Sequence, residues 1–262
     1  MTDVAPRTEV GPQRRARVVA RLHEVGVLSV TDLARELGVS PMTVRRDLHR
    51  LETTGEVRTV HGGVGLTGHE PGVPRPARDR AALCRVARRA AALVAPDDTV
   101  ALGPGPAAYE LARALPGSFA GSVITHSMPV MQLLAERVAG PAGPRLVALG
   151  GELTAARHAL VGPTTLAAIA GLRARTFFLD AAAVDVRGTY ACSTAEAQVT
   201  RGLADIADEV VLLATGAAFT GSAPALVAGL DRLTAVVTDA PPPAALGRAL
   251  DRAAVALHVA AA

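Results

Sequence analysis

The segment SPMTVRRDLHRLETTG, residues 40–55, constrains the fold of this chain more than any other part of the sequence. Ser40 followed by Pro41 is typical of a helix start, because serine accepts hydrogen bonds from the free N–H groups of the first turn and proline lacks one. The apolar residues of the segment share one helical face: Val44, Leu48 and Leu51. The segment therefore predicts a short amphipathic helix whose apolar face packs against another part of the protein.

The opposite face of this predicted helix is polar and basic. Its centre carries Met42, Arg46 and His49, and its flanks carry Thr43, Arg45 and Arg50. Such a helix can dock its apolar stripe on neighbouring helices and insert its polar face into the DNA major groove, about 12 Å wide. Arginine can form two hydrogen bonds with guanine there. Asp47 lies nearer the apolar stripe, so we expect it to orient an arginine rather than face DNA.

Two further helices are predicted upstream. In QRRARVVARLHEVG, apolar residues recur at helical spacing, and Gly26 stands where a helix commonly ends. In SVTDLARELG, Ser29 or Thr31 can cap a second helix, and Gly38 permits a sharp turn into the third. Each predicted helix boundary carries a typical capping or terminating residue, and the turn between the second and third helices is short. These features favour a helix-turn-helix over a plain three-helix bundle with a solvated arginine face.

A β-hairpin is predicted after the third helix, at residues 57–63. Alternating side chains followed by Gly62-Gly63 indicate two strands and a tight turn. We expect Arg58 and His61 on this hairpin to contact the DNA backbone or minor groove. The prediction for residues 12–67 is thus a winged helix-turn-helix DNA-binding domain.

The sequence pattern changes after a Gly- and Pro-rich linker at residues 65–78. Helical patterns rich in arginine and alanine alternate with short β-branched runs, namely TVALG, SVIT, RLVALGG, RTFFLD, EVVLLA and LTAVVTD. This alternation predicts a larger α/β domain at residues 78–259, with a mostly parallel sheet that helices cover on both faces. The ending AVALHVAAA predicts a final buried strand.

Composition excludes several kinds of chemistry. The 27 basic side chains are all arginine, and without lysine the chain cannot perform Schiff-base catalysis. The net charge of +3 alone would not indicate nucleic-acid binding. Cys84 and Cys192 lack metal-type spacing, and there is no HExxH pattern, so we expect free thiols and neither metal, cofactor nor catalytic residues. No apolar run reaches membrane-spanning length and no leader pattern is present, which predicts a cytoplasmic protein without membrane contact.

The N-terminal quarter resembles the DNA-binding domain of the DeoR family of bacterial transcription regulators. The shared positions are Ser40, Thr43, Val44, Arg45, Arg46, Asp47, Leu48, Leu51, Glu52, Gly55, Arg58, His61, Gly62 and Gly63. The resemblance implies a repressor of a carbohydrate or related metabolic operon that binds double-stranded operator DNA as a homodimer or homotetramer. The expected DNA-binding residues are Ser40, Met42, Thr43, Arg45, Arg46, His49, Arg50, Arg58 and His61.

The rest of the chain resembles the C-terminal sensor of that family, which has the fold of ribose-5-phosphate isomerase and CoA-transferases and often binds a phosphorylated sugar. The resemblance implies effector contacts at Gly103, Gly105, Thr125, Gly150, Gly151 and Glu196.

Two loops depart from the ligand-binding pattern of the family. Residues 103–107 read GPGPA where the family has an aspartate, a glycine and two hydroxyl residues, and residues 215–218 read TGAA where it has Asp-Ser-Ser-Lys. The acid for sugar hydroxyls and the groups for phosphate are therefore missing, and two prolines remove N–H donors. We hypothesise that any effector is not an ordinary sugar phosphate. Arg157, His158 and Arg175 could rebuild an anion site, although surface salt bridging is the simpler interpretation.

Two other functions were weighed against a DNA-binding regulator. The first is a sugar-phosphate isomerase-like or transferase-like enzyme with an accessory helical bundle. An enzyme of this kind would need the phosphate loop and the lysine that this chain lacks. The second is an assembly module whose helix-turn-helix no longer binds DNA, which no residue favours.

Overall fold

The computed structural model describes residues 11–25, 27–54, 57–60, 63–66, 77–138, 140, 143–154 and 157–260. Contacts divide the chain into two compact units, Met1–Arg80 and Ala81–Ala262. Each unit is considered by itself.

The N-terminal unit consists of short helices and a small antiparallel sheet. Its elements are α1 (Gly11–Val25), β1 (Val27–Leu28), α2 (Val30–Leu37), α3 (Pro41–Thr53), β2 (Val57–Val60) and β3 (Gly63–Leu66). The predicted caps are confirmed, since the Ser29 hydroxyl accepts from the Asp32 N–H and the Ser40 hydroxyl accepts from the Thr43 N–H. Ser29 is thus the cap of α2. Gly38 ends that helix with φ 63°, in the left-handed region that glycine adopts without strain.

The core of this unit joins all three helices to the hairpin. It contains Val18, Leu22, Leu33, Ala34, Val44, Leu48, Leu51, Val57 and Val64. β2 pairs with β3 as predicted, and β1 pairs with the other edge of β3. β1 was not predicted, because two residues are too few to show a strand period. Gly63 belongs to the return strand rather than the turn, and Gly26, His61 and Gly62 lie outside the described residues.

The C-terminal unit alternates helices with strands. Its elements are α4 (Ala77–Ala91), β4 (Thr99–Leu102), α5 (Pro106–Ala114), β5 (Ser122–Thr125), α6 (Met128–Val138), β6 (Arg145–Ala148), β7 (Glu152–Thr154), β8 (Ala159–Val161), α7 (Pro163–Ile169), β9 (Ala174–Asp180), β10 (Ala183–Asp185), β11 (Gly188–Ala191), α8 (Thr194–Asp205), β12 (Ala207–Ala214), β13 (Ala225–Ala228), β14 (Ala235–Thr238), α9 (Ala244–Arg252) and β15 (Ala256–Val259).

The main sheet has the strand order β15-β14-β12-β9-β4-β5-β6, and every pairing in it is parallel. β9 lies near its centre and contributes Phe177 to a core on one side and Phe178 to a core on the other. Both phenyl rings are fully buried because successive strand residues point to opposite faces. The predicted α/β class, with a parallel sheet covered on both faces, is confirmed.

Two parts of the C-terminal unit differ from expectation. β15 was predicted to be buried, but it is an edge strand, and Leu257 and Val259 are 42% and 44% exposed. The β7-β8 hairpin and the small sheet β10-β11-β13 were not predicted, since their strands have only three or four residues each. Among the described residues, none of the helices combines the length and apolarity that crossing a bilayer requires.

Candidate nucleic-acid interface and sensor site

The outward face of α3 presents the predicted DNA-contacting side chains to solvent. Met42, Arg45, Arg46, His49 and Arg50 are exposed, and Thr43 is half-buried. Met42 is 62% exposed, which is unusual for a large apolar side chain within the N-terminal unit. An exposed methionine beside arginines suits a major groove, where it can contact a thymine methyl group. Ser40 lies at the helix start, with its hydroxyl engaged in the cap.

A buried ion pair fixes the inner side of α3. Asp47 is buried, and its Oδ2 accepts a hydrogen bond from Nε of Arg14 at 2.5 Å. Nη1 of Arg15 lies 3.6 Å from the other carboxylate oxygen. Both arginines belong to α1, so the pair ties α1 to α3. The expectation that Asp47 orients an arginine is confirmed.

The hairpin supplies the other two predicted DNA contacts. Arg58 is a backbone position in β2 paired with Gly65 of β3. His61 falls outside the part of the chain that the structure describes. Their roles at the nucleic acid remain predictions.

Five of the six predicted effector residues lie at the carboxyl ends of the parallel strands and in the loops that follow. Gly103 and Gly105 follow β4, and Thr125 ends the neighbouring strand β5. The Thr125 hydroxyl is fully buried, donates to the Leu102 carbonyl and accepts from the Ser127 N–H, so it holds two segments together. One lone pair of the hydroxyl oxygen then remains to accept a hydrogen bond from a ligand.

Gly150 and Gly151 lie in the bend between β6 and β7. The Gly150 carbonyl accepts a hydrogen bond from the Thr165 hydroxyl. Gly151 has φ 143°, and a Cβ there would overlap the same hydroxyl. Both glycines are exposed, and the close approach to Thr165 requires glycine at position 151, whereas a Cβ at Gly150 would make only an ordinary contact with Thr164.

A buried charge cluster joins Glu196, in the first turn of α8, to Arg157 and Asp180. Nε of Arg157 lies 3.1 Å from Oε1 of Glu196, and its Nη2 lies 4.0 Å from Oδ1 of Asp180. Burial works to lower the pKa of Arg157, but the two carboxylates outweigh it and raise that pKa above its ordinary value. Burial raises the pKa of Glu196, against the lowering effect of Arg157. Glu196 therefore forms an ion pair with Arg157 in addition to occupying the first turn of its own helix.

Surface salt bridging was the preferred interpretation of the three possible replacement cations, and it is wrong for Arg157. The Arg157 side chain is only 18% exposed and sits between carboxylates. The interpretation is confirmed for Arg175, which is 58% exposed and pairs with Asp98 and Glu209. His158 contributes its carbonyl to the Met128 N–H.

His126, which follows β5, is the most strongly perturbed titratable group beside this cluster. It is fully buried, and neither ring nitrogen has a hydrogen-bond partner among the described residues. Burial lowers its pKa to about 3, and the positive charge of Arg157 acts in the same direction. The imidazole is therefore neutral at physiological pH.

The His126 environment predicts acid sensitivity of the C-terminal unit. Below pH 6.5 His126 binds a proton in the unfolded chain but not in the folded one. The free energy of unfolding therefore falls as the pH falls toward 3. We expect the free energy of unfolding to drop by about 1 kcal/mol more in the native protein than in His126→Asn between about pH 7 and 5.5. Urea unfolding at each pH measures this difference.

The difference between the two proteins isolates His126 because every other titrating group is common to both. His158→Asn is the matched control and should retain the native pH dependence. An unchanged dependence in His126→Asn would show that the buried imidazole is not the cause.

Neither Asp180 nor His126 was among the residues predicted for this site, although Asp180 belongs to the cluster and His126 lies beside it. Asp180 closes an apolar strand and carries no motif of its own, and its partner at Ala107 is 73 residues away. Within the described residues, no group of three or more His, Cys, Asp or Glu side chains could hold a metal ion. Cys84 and Cys192 are not joined to each other by a disulfide.

Family comparisons match both units. The family model described as "DeoR-like helix-turn-helix domain" matches residues 14–69, and the one described as "DeoR C terminal sensor domain" matches residues 81–240.

Several curated relatives cover most of the chain. The transcriptional repressor AccR of Agrobacterium fabrum is 27% identical over 232 residues, which cover 86% of this chain and 88% of the relative. The lactose phosphotransferase system repressor of Staphylococcus aureus is 30% identical over 200 residues, 73% of this chain and 77% of the relative. The glycerol-3-phosphate regulon repressor of Escherichia coli is 25% identical over 242 residues, 91% and 94% respectively.

Solved structures with a related arrangement include an initiation-factor subunit and an isomerase. eIF2B beta from Chaetomium thermophilum has a TM-score of 0.43 and 16% identity, covering 66% of this chain and 54% of that one. Ribose 5-phosphate isomerase A from Neisseria gonorrhoeae has a TM-score of 0.36 and 16% identity, covering 52% of each chain.

Proposed function

Because the chain belongs to the DeoR family of DNA-binding transcriptional regulators, we propose that it represses a carbohydrate or related metabolic operon. Relatives named as repressors of sugar-related systems support this assignment. We propose that residues 12–67 bind double-stranded operator DNA and that residues 78–259 sense an effector and assemble the protein into a homodimer or homotetramer. The proposed compartment is the cytoplasm, where operator DNA would be found.

The observation that carries the proposal is the exposed polar face of α3 on a helix whose other face is buried. The side chains proposed to contact DNA are Ser40, Met42, Thr43, Arg45, Arg46, His49, Arg50, Arg58 and His61. Arg46, at the exposed centre, is proposed to bind base edges. The others are proposed to position the helix and hairpin on the phosphate backbone or on neighbouring bases.

We propose that the C-terminal unit is a sensor and not an enzyme. Its proposed effector contacts are Gly103, Gly105, Thr125, Gly150, Gly151 and Glu196. The named relatives are regulators, and Arg157 is already engaged by carboxylates. No specific feature of the site favours the alternative of an isomerase-like or transferase-like enzyme.

Fluorescence anisotropy with the purified chain tests the DNA-binding proposal. The probe is the DNA upstream of its own gene, at about 150 mM salt and with scrambled competitor, because salt sets the non-specific background. Specific sites of this class bind with a Kd of roughly 10⁻⁸–10⁻¹¹ M. If the upstream probe binds no better than scrambled DNA, selection from a random DNA library follows. Failure to enrich any sequence in that selection would contradict the proposal.

Two arginine variants separate base recognition from backbone contact. Arg46→Ala is expected to weaken operator binding by about 1–3 kcal/mol and to relax sequence specificity. Arg58→Ala is expected to weaken binding to all sequences alike and to reduce the salt dependence of binding, because it removes a phosphate contact. Titrations against operator and scrambled DNA at several salt concentrations measure both effects. The same profile in both variants would contradict the assigned roles.

A further inference from the structure

The carboxylate of Asp180 occupies the start of helix α5. Its Oδ2 accepts a hydrogen bond of 2.7 Å from the N–H of Ala107, the second residue of that helix. Free N–H groups and the helix dipole make a helix N-terminus favourable for an anion. The anion at this position is therefore supplied by the chain itself.

The fit between Asp180 and the loop before α5 is close. A Cβ at Gly105 would overlap the Asp180 carboxylate. The Gly105 φ of 168° is extended backbone that any residue adopts, so space rather than conformation requires the glycine. Pro106 at the first helical position offers no N–H group, which leaves fewer donors for a second anion.

The charges around Asp180 oppose the entry of another anion. Two carboxylates, Asp180 and Glu196, share the single guanidinium of Arg157, and their side chains are 8% and 7% exposed. His126 adds no positive charge because it is neutral at physiological pH. A phosphate group would bring further negative charge close to these two carboxylates.

His126, beside this cluster, nevertheless offers ring nitrogens that a polar ligand can hydrogen-bond. Both of its ring nitrogens are buried without a partner among the described residues. An unpaired buried imidazole is costly, and a neutral one can donate one hydrogen bond and accept another. Such a group suits hydroxyl groups better than it suits phosphate.

We propose that Asp180 determines the specificity of the sensor by filling the anion position at α5, which excludes phosphate and phosphate esters from the site. This inference rests on the proposed sensor role of the C-terminal unit. Asp180 acts by its charge and by its contact with the Ala107 N–H, and Arg157 holds it against the rest of the cluster. The effector class left to the site is one without a phosphate group.

Calorimetric titration of the full chain with inorganic phosphate tests the inference. We expect no saturable binding by the native protein. Asp180→Ala vacates the position and removes one of the two carboxylates beside Arg157, so its phosphate affinity should rise by roughly tenfold to a hundredfold, the equivalent of one charge-assisted hydrogen bond. Asp180→Asn keeps the shape but removes the charge, and a smaller gain is expected, which preserves the test if the alanine variant fails to fold.

Two further variants test whether the gain in phosphate affinity depends on Asp180 and Arg157. Asp185→Ala removes a carboxylate that bonds Tyr190 in the same unit and should leave phosphate binding unchanged. Adding Arg157→Gln to Asp180→Ala should abolish the gained binding. Saturable phosphate binding by the native protein, or no gain in either Asp180 variant, would overturn the inference. Since no DNA is present, these outcomes are independent of whether the operator proposal holds.

Discussion

Replacing Asp47 with alanine is expected to lower the free energy of unfolding of the N-terminal unit by about 3–5 kcal/mol. The substitution removes the carboxylate that the Arg14 guanidinium contacts, and the Arg14 side chain is only 11% exposed. It also removes the charge facing Arg15, whose Nη1 is buried without a hydrogen bond. Hydrogen exchange followed by mass spectrometry measures the loss, which should appear in peptides of residues 11–66 and not in those of residues 81–260.

Two control variants test whether burial is the cause. Arg35→Ala breaks an ion pair with Asp32 whose members are 73% and 48% exposed, so it should destabilise the unit far less than Asp47→Ala. Combining Arg14→Met with Asp47→Leu removes both charges and should recover most of the stability. If Asp47→Ala destabilises no more than Arg35→Ala, the buried pair does not hold α1 against α3.

Phe178→Ala is expected to lower the free energy of unfolding of the C-terminal unit by about 3–5 kcal/mol. Phe178 is fully buried in the central strand β9 and packs in the core formed with residues of α4, α5 and α6. Its truncation removes a large apolar side chain and leaves a cavity that a parallel sheet cannot easily close. The same exchange experiment should show the reverse pattern, with protection lost in residues 81–260 and kept in residues 11–66.

Phe178→Leu provides the graded control, since it retains most of the buried volume and should cost less than alanine. A loss below about 1 kcal/mol for Phe178→Ala would mean that the site relaxes around the missing ring. Together with Asp47→Ala, the pair of variants compares the two units within one chain.

The N-terminal unit could be predicted closely because its determinants are local. Ser40 caps the N–H of Thr43 three residues later, and the apolar stripe of α3 repeats within a few turns. The main strands of the C-terminal sheet were also predicted, since each is a short β-branched or apolar run between helical patterns. β15 was misjudged because the sequence pattern of an apolar strand does not reveal whether it has neighbours on both sides.

The sensor site could be predicted only in outline. The resemblance placed Gly105 and Glu196 in it, but the groups that set its charge come from distant segments. Arg157 meets Glu196 across 39 residues and Asp180 across 23, and Asp180 meets Ala107 across 73. No local sequence pattern encodes such long-range contacts. The absence of the family's aspartate and lysine was therefore visible in the sequence, whereas the placement of the Asp180 carboxylate at the start of α5 was not.

The central place of β9 bears on the order in which a nascent chain acquires its parts. Every described strand of the N-terminal unit has been synthesised by Leu66, whereas β4 can pair early with β5 but gains its other neighbour, β9, only from Ala174 onward, and the sheet is complete only at Val259. At about 5–20 residues per second, roughly 10–40 s separate the two events on the ribosome. Each new molecule therefore has all the residues of its helix-turn-helix before it has those of the sheet that would control it.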